Sequence, residues 1–219
     1  MNENDNVQQN TAKKMKGAVN IDPLTGLPLM RSYWDLVAEK IESNPVCSTM
    51  MSVNILNFQY FNKWYGRDKG DALLAELGKY FQQLCHDHDM IAGYMGNDYF
   101  SVFFEEDADL VDALIESVKL IVGRYMTDPL FRPVWGAYKY TEDDTTDAID
   151  MYDYTIMAIG KCYIYSYADI NWFSEGMARP KQTGFSFSSR MTAAYLGLRT
   201  RPKLSSTSLR IPGVKGTVP

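Results

Sequence analysis

The sequence predicts an α/β fold of the α+β kind: a central mixed sheet of about five strands flanked on both faces by helices. Three observations carry this expectation. Apolar residues recur at three- and four-residue intervals in several long segments, which is the period of a half-buried helix. Short runs rich in β-branched and aromatic residues lie between those segments. Two of the runs are separated by only a few residues, which reads as a hairpin and brings antiparallel pairing into the sheet.

In chain order, residues 1–20 are polar and read as a flexible segment or a frayed helix. "DPLTGLP" at 22–28 is punctuated by Pro23, Gly26 and Pro28 and reads as a turn. "MRSYWDLVAEKIES" follows as a helix with Tyr33, Leu36, Val37 and Ile41 on one stripe. "STMMSVNIL", 48–56, reads as a buried strand, and Gly66 and Gly70 read as the brackets of a loop. "DALLAELGKYFQQLCHD" is an amphipathic helix on Leu73, Leu77, Tyr80, Phe81 and Leu84. "MIAGY" and "YFSVFF" form the hairpin strands, and "ADLVDALIESVKLIVGRY" a further helix. "RPVWGAYKY" is a strand, "DAIDMYDYTIMAIGKCYIY" a helix and "ADINWF" a last short strand. The folded domain is expected over 21–175.

Composition narrows the function classes. Apolar residues make up 46% and charged residues 22%, as in ordinary globular domains. No apolar run approaches the roughly 20 residues of a membrane-spanning helix, and the N-terminus lacks the apolar core of a signal peptide. The expected location is therefore cytoplasmic. Cys47, Cys85 and Cys162 are scattered and odd in number, which reads as reduced thiols, neither a disulfide framework nor a zinc spacing.

Charge is divided unevenly. Residues 1–175 hold 14 basic and 27 acidic residues, a net −13, whereas 176–219 hold eight basic residues and no acid. An acidic body argues against nucleic-acid binding. The segment 176–219 reads either as a disordered basic tail or as aberrant sequence, for instance the product of a frameshift.

Four segments line up with a known family. "DPLTGLP" precedes the first helix; "NILNFQYFNKWYGRDKGDALL", 54–74, runs strand, loop, helix; "GYMGNDYFSVFF" is the hairpin; "YDYTIMAIGK" lies on the last long helix. Over about residues 20–175 this order resembles the GGDEF domain, the diguanylate cyclase fold. Phe58, Asn62, Gly66, Gly70, Asp71 and Leu73 match one of its motifs. The resemblance implies condensation of two GTP molecules into cyclic di-GMP. It also implies two divalent cations, normally Mg²⁺, held by an acid at the end of the first strand and by the acids of a Gly-Gly-Asp/Glu-Glu-Phe hairpin.

At those positions this sequence departs from the family. The hairpin reads Gly96-Asn97-Asp98-Tyr99-Phe100, the first-strand acid is Asn54 and the second acid of that pair is Leu56. Only Asp98 remains as a carboxylate, so Asp98 and, weakly, Asn54 are the candidate metal positions, and Asp98 the one catalytic candidate if the domain is active. The phosphate-contacting lysine of the last helix falls on Gly160, a later basic position on Ile164, and the product-binding Arg and Asp on Asp87 and Met90. The base-reading residues persist as Asn62 and Asp71, beside the hairpin's Gly96 and Asn97, as candidate nucleotide-binding residues. A structural role competes for both: Asp71 as a helix cap, Asn62 as a turn residue.

The expectation is a degenerate, non-catalytic GGDEF domain acting as a regulatory or interaction module in cyclic di-GMP signalling, with residual GTP binding. Two alternatives stay open: an active diguanylate cyclase, and a ligand-free structural dimerisation domain. Expected partners are GTP and a protein partner or second copy, without nucleic acid or a membrane span. No cofactor is expected unless a nucleotide brings Mg²⁺. Because such domains often precede an EAL phosphodiesterase domain in this family, the chain is expected to be a truncated remnant. Trp64, Tyr65, Trp135 and Trp172 are expected in core or interface packing, "CHDHD" at 85–89 as a metal-free connection, and "EEDAD" and "TEDDTTD" as loops placing acids at helix N-termini.

Overall fold

The computed structural model describes residues 18–165 and 169–177. Most of the expected flexible N-terminus and of the expected basic tail lies outside the described residues. The elements are α1 (Met30–Ser43), β1 (Ser48–Ile55), α2 (Phe58–Tyr65), α3 (Arg67–Asp87), β2 (Met90–Gly96), β3 (Tyr99–Glu105), α4 (Ala108–Tyr125), β4 (Pro133–Tyr140), α5 (Ala148–Tyr165) and β5 (Ile170–Trp172). The strands form one sheet in the order β2-β3-β1-β4-β5. β1 is antiparallel to both β3 and β4, while β4 and β5 run parallel, so the sheet is mixed, as expected.

β1 lies at the centre of the sheet and is buried along all eight of its residues. Side chains alternate along a strand, and here both faces are covered. Met51, Val53 and Ile55 join Phe100, Val102, Phe104 and Trp135 in a core closed by α2, α3 and α4. Met50 points the other way, into a second core with Tyr33 and Val37 of α1 and Met151 and Tyr152 of α5.

The second face has an unusual middle. Gly93, Ser101, Ser52 and Gly136 stand side by side across β2, β3, β1 and β4. This row of small residues lets two helices come very close. A Cβ on Gly93 would lie 2.6 Å from the Tyr33 side chain, and one on Gly136 would lie 1.9 Å from the backbone oxygen of Thr155. The polar atoms left in the row satisfy one another. Ser52 Oγ lies 3.1 Å from Ser101 Oγ and 2.6 Å from Thr155 Oγ1, and Ser101 Oγ lies 3.0 Å from Tyr33 Oη.

One expectation is corrected. Residues 58–65 form a helix, and the glycines do not bracket a loop: Gly66 is the hinge, with φ 93°, and Gly70 is buried inside α3. Consequently α3 begins at Arg67, and Asp71 lies in its second turn, where it cannot cap it. Caps are supplied elsewhere by the charge runs, as expected. Asp107 Oδ1 accepts from Leu110 N, and Asp147 Oδ1 from Ile149 N and Asp150 N. Of the four aromatics expected in packing, Trp135 is fully buried, whereas Trp64, Tyr65 and Trp172 are exposed.

The "DPLTGLP" turn fastens the start of the domain. Asp22 Oδ2 accepts from Leu24 N, Thr25 N and Thr25 Oγ1. Gln82 of α3 donates to Thr25 O, and Pro28 O accepts from Tyr94 N of β2.

Gly136→Ala tests the close approach of α5. Because the clash is with backbone, the substitution is expected to cost on the order of 1–3 kcal/mol, read as a lower urea midpoint. An unchanged midpoint would mean that α5 shifts freely on the sheet.

Candidate functional site

β1 ends at Ile55, and the β2–β3 turn stands beside that end. Gly96 (φ 96°) and Asn97 (φ 55°) both take left-handed backbone, which turns the chain in two residues and aims Asp98 back across β3. Tyr99 pairs with Asn54 in the β1–β3 register. Asp98 Oδ2 accepts from Asn54 Nδ2 at 2.6 Å and from the backbone N of Ile55 at 3.2 Å. The hairpin thus sets Asp98 beside the end of β1.

Burial dominates the Asp98 carboxyl and pushes it up to about 7, although the bonds from Ile55 and Asn54 act the other way. Tyr94 Oη donates to Asn97 O at 2.8 Å, bracing the turn. The Tyr94 hydroxyl is pushed up to about 12 by burial first, then by the negative fields of Asp22, Asp98 and Asp71.

These groups line one cleft of about 650 Å³. Asn54, Asn97 and Asp98 form one end, and Asn62 of α2 with Asp71 of α3 line it too. Five of the six candidate residues therefore meet in one place; Gly96 shapes the turn without lining the cleft. Asn62 is packed hard against Gly70: a Cβ there would sit 1.9 Å from its Oδ1, and that buried oxygen has no hydrogen-bond partner. Neither structural role expected for this pair fits, since Asn62 lies within α2 and Asp71 within α3. Sequence reasoning missed Leu24, Asn57, Phe58, Gln59, Leu74 and Tyr94 as lining residues. For Leu24 the turn motif was the available signal, and for Phe58 the motif it shares with Asn62 and Asp71; neither says which residues line a cleft.

The donor set does not suit a pair of hard dications, which together take many oxygen ligands. Among the described residues, Asp98 is the one carboxylate in contact with the end of β1, and one of its oxygens is engaged by an amide N–H and a backbone N–H. Among the described residues no three His, Cys, Asp or Glu side chains converge as metal ligands, at "CHDHD" or elsewhere. Leu56 packs with Val134, Ile159 and Cys162. Gly160 faces open space and lies outside the cleft lining. Asp153 is buried on α5, its carboxyl raised to about 6 by burial and then by Asp150 and Asp147. Met90 is core, and Asp87 accepts from Gln83 on its own helix.

A sequence model of the family described as "Diguanylate cyclase, GGDEF domain" matches residues 19–128, just over half of the 219-residue chain. The chain belongs to this family. Among curated proteins, a diguanylate cyclase of Vibrio cholerae serotype O1 is 30% identical over 115 residues, covering 51% of this chain and 35% of that protein. The chain thus aligns with about a third of that relative's length. Among solved structures, the coiled coil and GGDEF domain of DgcB from Caulobacter crescentus, in complex with c-di-GMP, has a TM-score of 0.58 at 15% identity, covering 78% of this chain and 93% of that one. Diguanylate cyclase SiaD of Pseudomonas aeruginosa, in complex with its activator SiaC, has a TM-score of 0.59 at 16% identity, covering 77% and 67%. At these identities the structures establish the fold of the GGDEF domain.

The raised Asp98 carboxyl gives this GGDEF domain a pH signature. Folded Asp98 holds its proton up to about pH 7, whereas the unfolded residue releases it near the ordinary aspartate value of 3.8. The folded state then binds more protons between those limits, so this group's contribution falls as pH rises through them. Asp98→Asn is expected to raise the thermal midpoint at pH 8, by roughly 2–4 °C for each kcal/mol recovered, and to lose that advantage at pH 4. Calorimetry at both values reads the difference.

Proposed function

We propose that this GGDEF domain is non-catalytic and serves as a regulatory or protein-interaction module in cyclic di-GMP signalling, retaining guanine-nucleotide binding in the cleft. One observation carries the reading: Asn54 Nδ2 donates to Asp98 Oδ2. Where the family pattern implies two acids facing each other across cations, this chain has one acid and one amide that satisfy each other. A carboxylate pair needs positive charge between its members, and a carboxylate–amide pair does not. In-line attack on a phosphoryl group depends on such charge neutralisation, and Gly160 and Tyr99 bring no replacement for it.

Guanine binding is supported by the other end of the cleft. An amide and a carboxylate, Asn62 and Asp71, are available in the same lining. Carboxylate oxygens accept from the N–H groups of a purine edge, and an amide offers both a donor and an acceptor. The walls beside them, Phe58 and Leu74, are apolar. A cytoplasmic location belongs to the same proposal: Cys47, Cys85 and Cys162 are all unpaired thiols, the state a reducing compartment maintains. Among the described residues no helix is long and apolar enough to cross a membrane.

Two measurements check the proposal. Incubation with GTP and Mg²⁺ or Mn²⁺ is expected to yield no cyclic di-GMP by chromatography; clear turnover would overturn the non-catalytic reading. Titration calorimetry with GTP is expected to give a heat signal that Asp71→Ala removes. A signal indifferent to Asp71 would move the ligand away from this cleft.

A further inference from the structure

Resting on the reading that Asn62 and Asp71 hold a guanine base, we infer that the cleft selects the uncharged nucleoside, guanosine, over its phosphorylated forms, and takes it without a metal ion. The argument is one of charge and donor chemistry. Among the described residues no lysine or arginine lines the cleft, while two acidic side chains, Asp71 and Asp98, do. Asp22 adds its field, acting with those two on Tyr94. A triphosphate entering such a site brings several negative charges into an already negative, partly desolvated space, and each contact is unfavourable.

Metal ions are the usual remedy, because they neutralise phosphate charge and carboxylate charge together. Here that remedy is blocked by the bond described above, which spends a carboxylate oxygen on an N–H group. The cleft is instead lined by four amides besides Asn62, namely Asn54, Asn57, Gln59 and Asn97, with Asn57 Nδ2 donating to Leu130 O. Amides both donate and accept, which matches the hydroxyl groups of a ribose better than the acceptor-only oxygens of a phosphate. The start of α2 offers the same kind of partner. Asn57, which precedes it, takes left-handed backbone and makes no side-chain cap, while its backbone oxygen accepts from Tyr60 N and Phe61 N; the N–H groups of Phe58 and Gln59, ahead of those two, are the ones a ribose or base oxygen would meet. That partial positive charge is about half a unit, too small to offset the several charges of a triphosphate. The cleft's 650 Å³ falls within the range of about 300–1,000 Å³ common for small-molecule sites.

The test uses the full chain with guanosine, GMP and GTP, each titrated in EDTA and again in excess Mg²⁺, with binding followed by ligand-observed NMR and calorimetry. Guanosine is expected to bind with the same affinity in both buffers and to be lost with Asp71→Ala. Affinity is expected to fall by at least about threefold from guanosine to GTP, and Mg²⁺ is expected not to restore it. GTP binding more tightly than guanosine, or only with Mg²⁺, would overturn the inference while leaving guanine recognition intact. Absence of binding by all three would remove guanine recognition itself, and the inference with it.

Discussion

On one face of the sheet, four neighbouring strands each carry a residue with almost no side chain, and the seating of two helices depends on it. Gly93, Ser101, Ser52 and Gly136 leave a trough into which Tyr33 of α1 and the Thr155 turn of α5 descend. Interiors are packed as densely as organic crystals, so this depth is fixed by the smallest residues in the row. The hydroxyl groups of Ser52, Ser101, Tyr33 and Thr155 then bond to one another in the resulting dry space. Each such bond contributes about 1 kcal/mol net, but a missing partner costs more. The row therefore favours one arrangement of the helices over near alternatives. β1 is clamped between the two cores as a result, and its final residues, Asn54 and Ile55, are presented at a fixed place for the hairpin to meet.

What the hairpin meets there decides the chemistry available to the domain. Asp98 is half-buried, and an ionised carboxylate in that position needs compensation. Asn54 and the Ile55 backbone provide it through hydrogen bonds. The compensation is partial, which is why the carboxyl still titrates near neutrality. A cation would compensate far more strongly, since it carries a full charge and an N–H group only a partial one. With an amide at position 54, the acid of the hairpin and the end of β1 satisfy each other by hydrogen bonds within the fold of the family.

Much of this was legible in the sequence. The helices at 30–43 and 108–125 were read to the residue, because clear apolar stripes coincide there with polar breakers at the ends. The sheet's mixed character followed from the hairpin and the strand–helix alternation. α2 was not legible. "FQYFNKWY" is only eight residues long and aromatic, without a full period to read, and the two glycines after it suggested a loop. Gly70 turned out to be a packing residue, small because Asn62 lies against it. In the site, the family motif located Asp98 and Asn54, but their mutual bond joins residues 44 positions apart, and spacing alone is silent on that. Tyr94, Asn57 and Gln59 join the cleft for the same reason: the topology brings them there, and no local pattern announces it.

The two-residue turn at Asn97 and Asp98 has a consequence of its own. It places an acid with a near-neutral titration point on the rim of an otherwise uncharged row of amides, braced from beneath by a phenol that stays protonated. That acid is held by hydrogen bonds from Asn54 and the Ile55 backbone. The rim therefore changes charge with small shifts of acidity around neutrality, while the amides and the phenol that frame it stay uncharged.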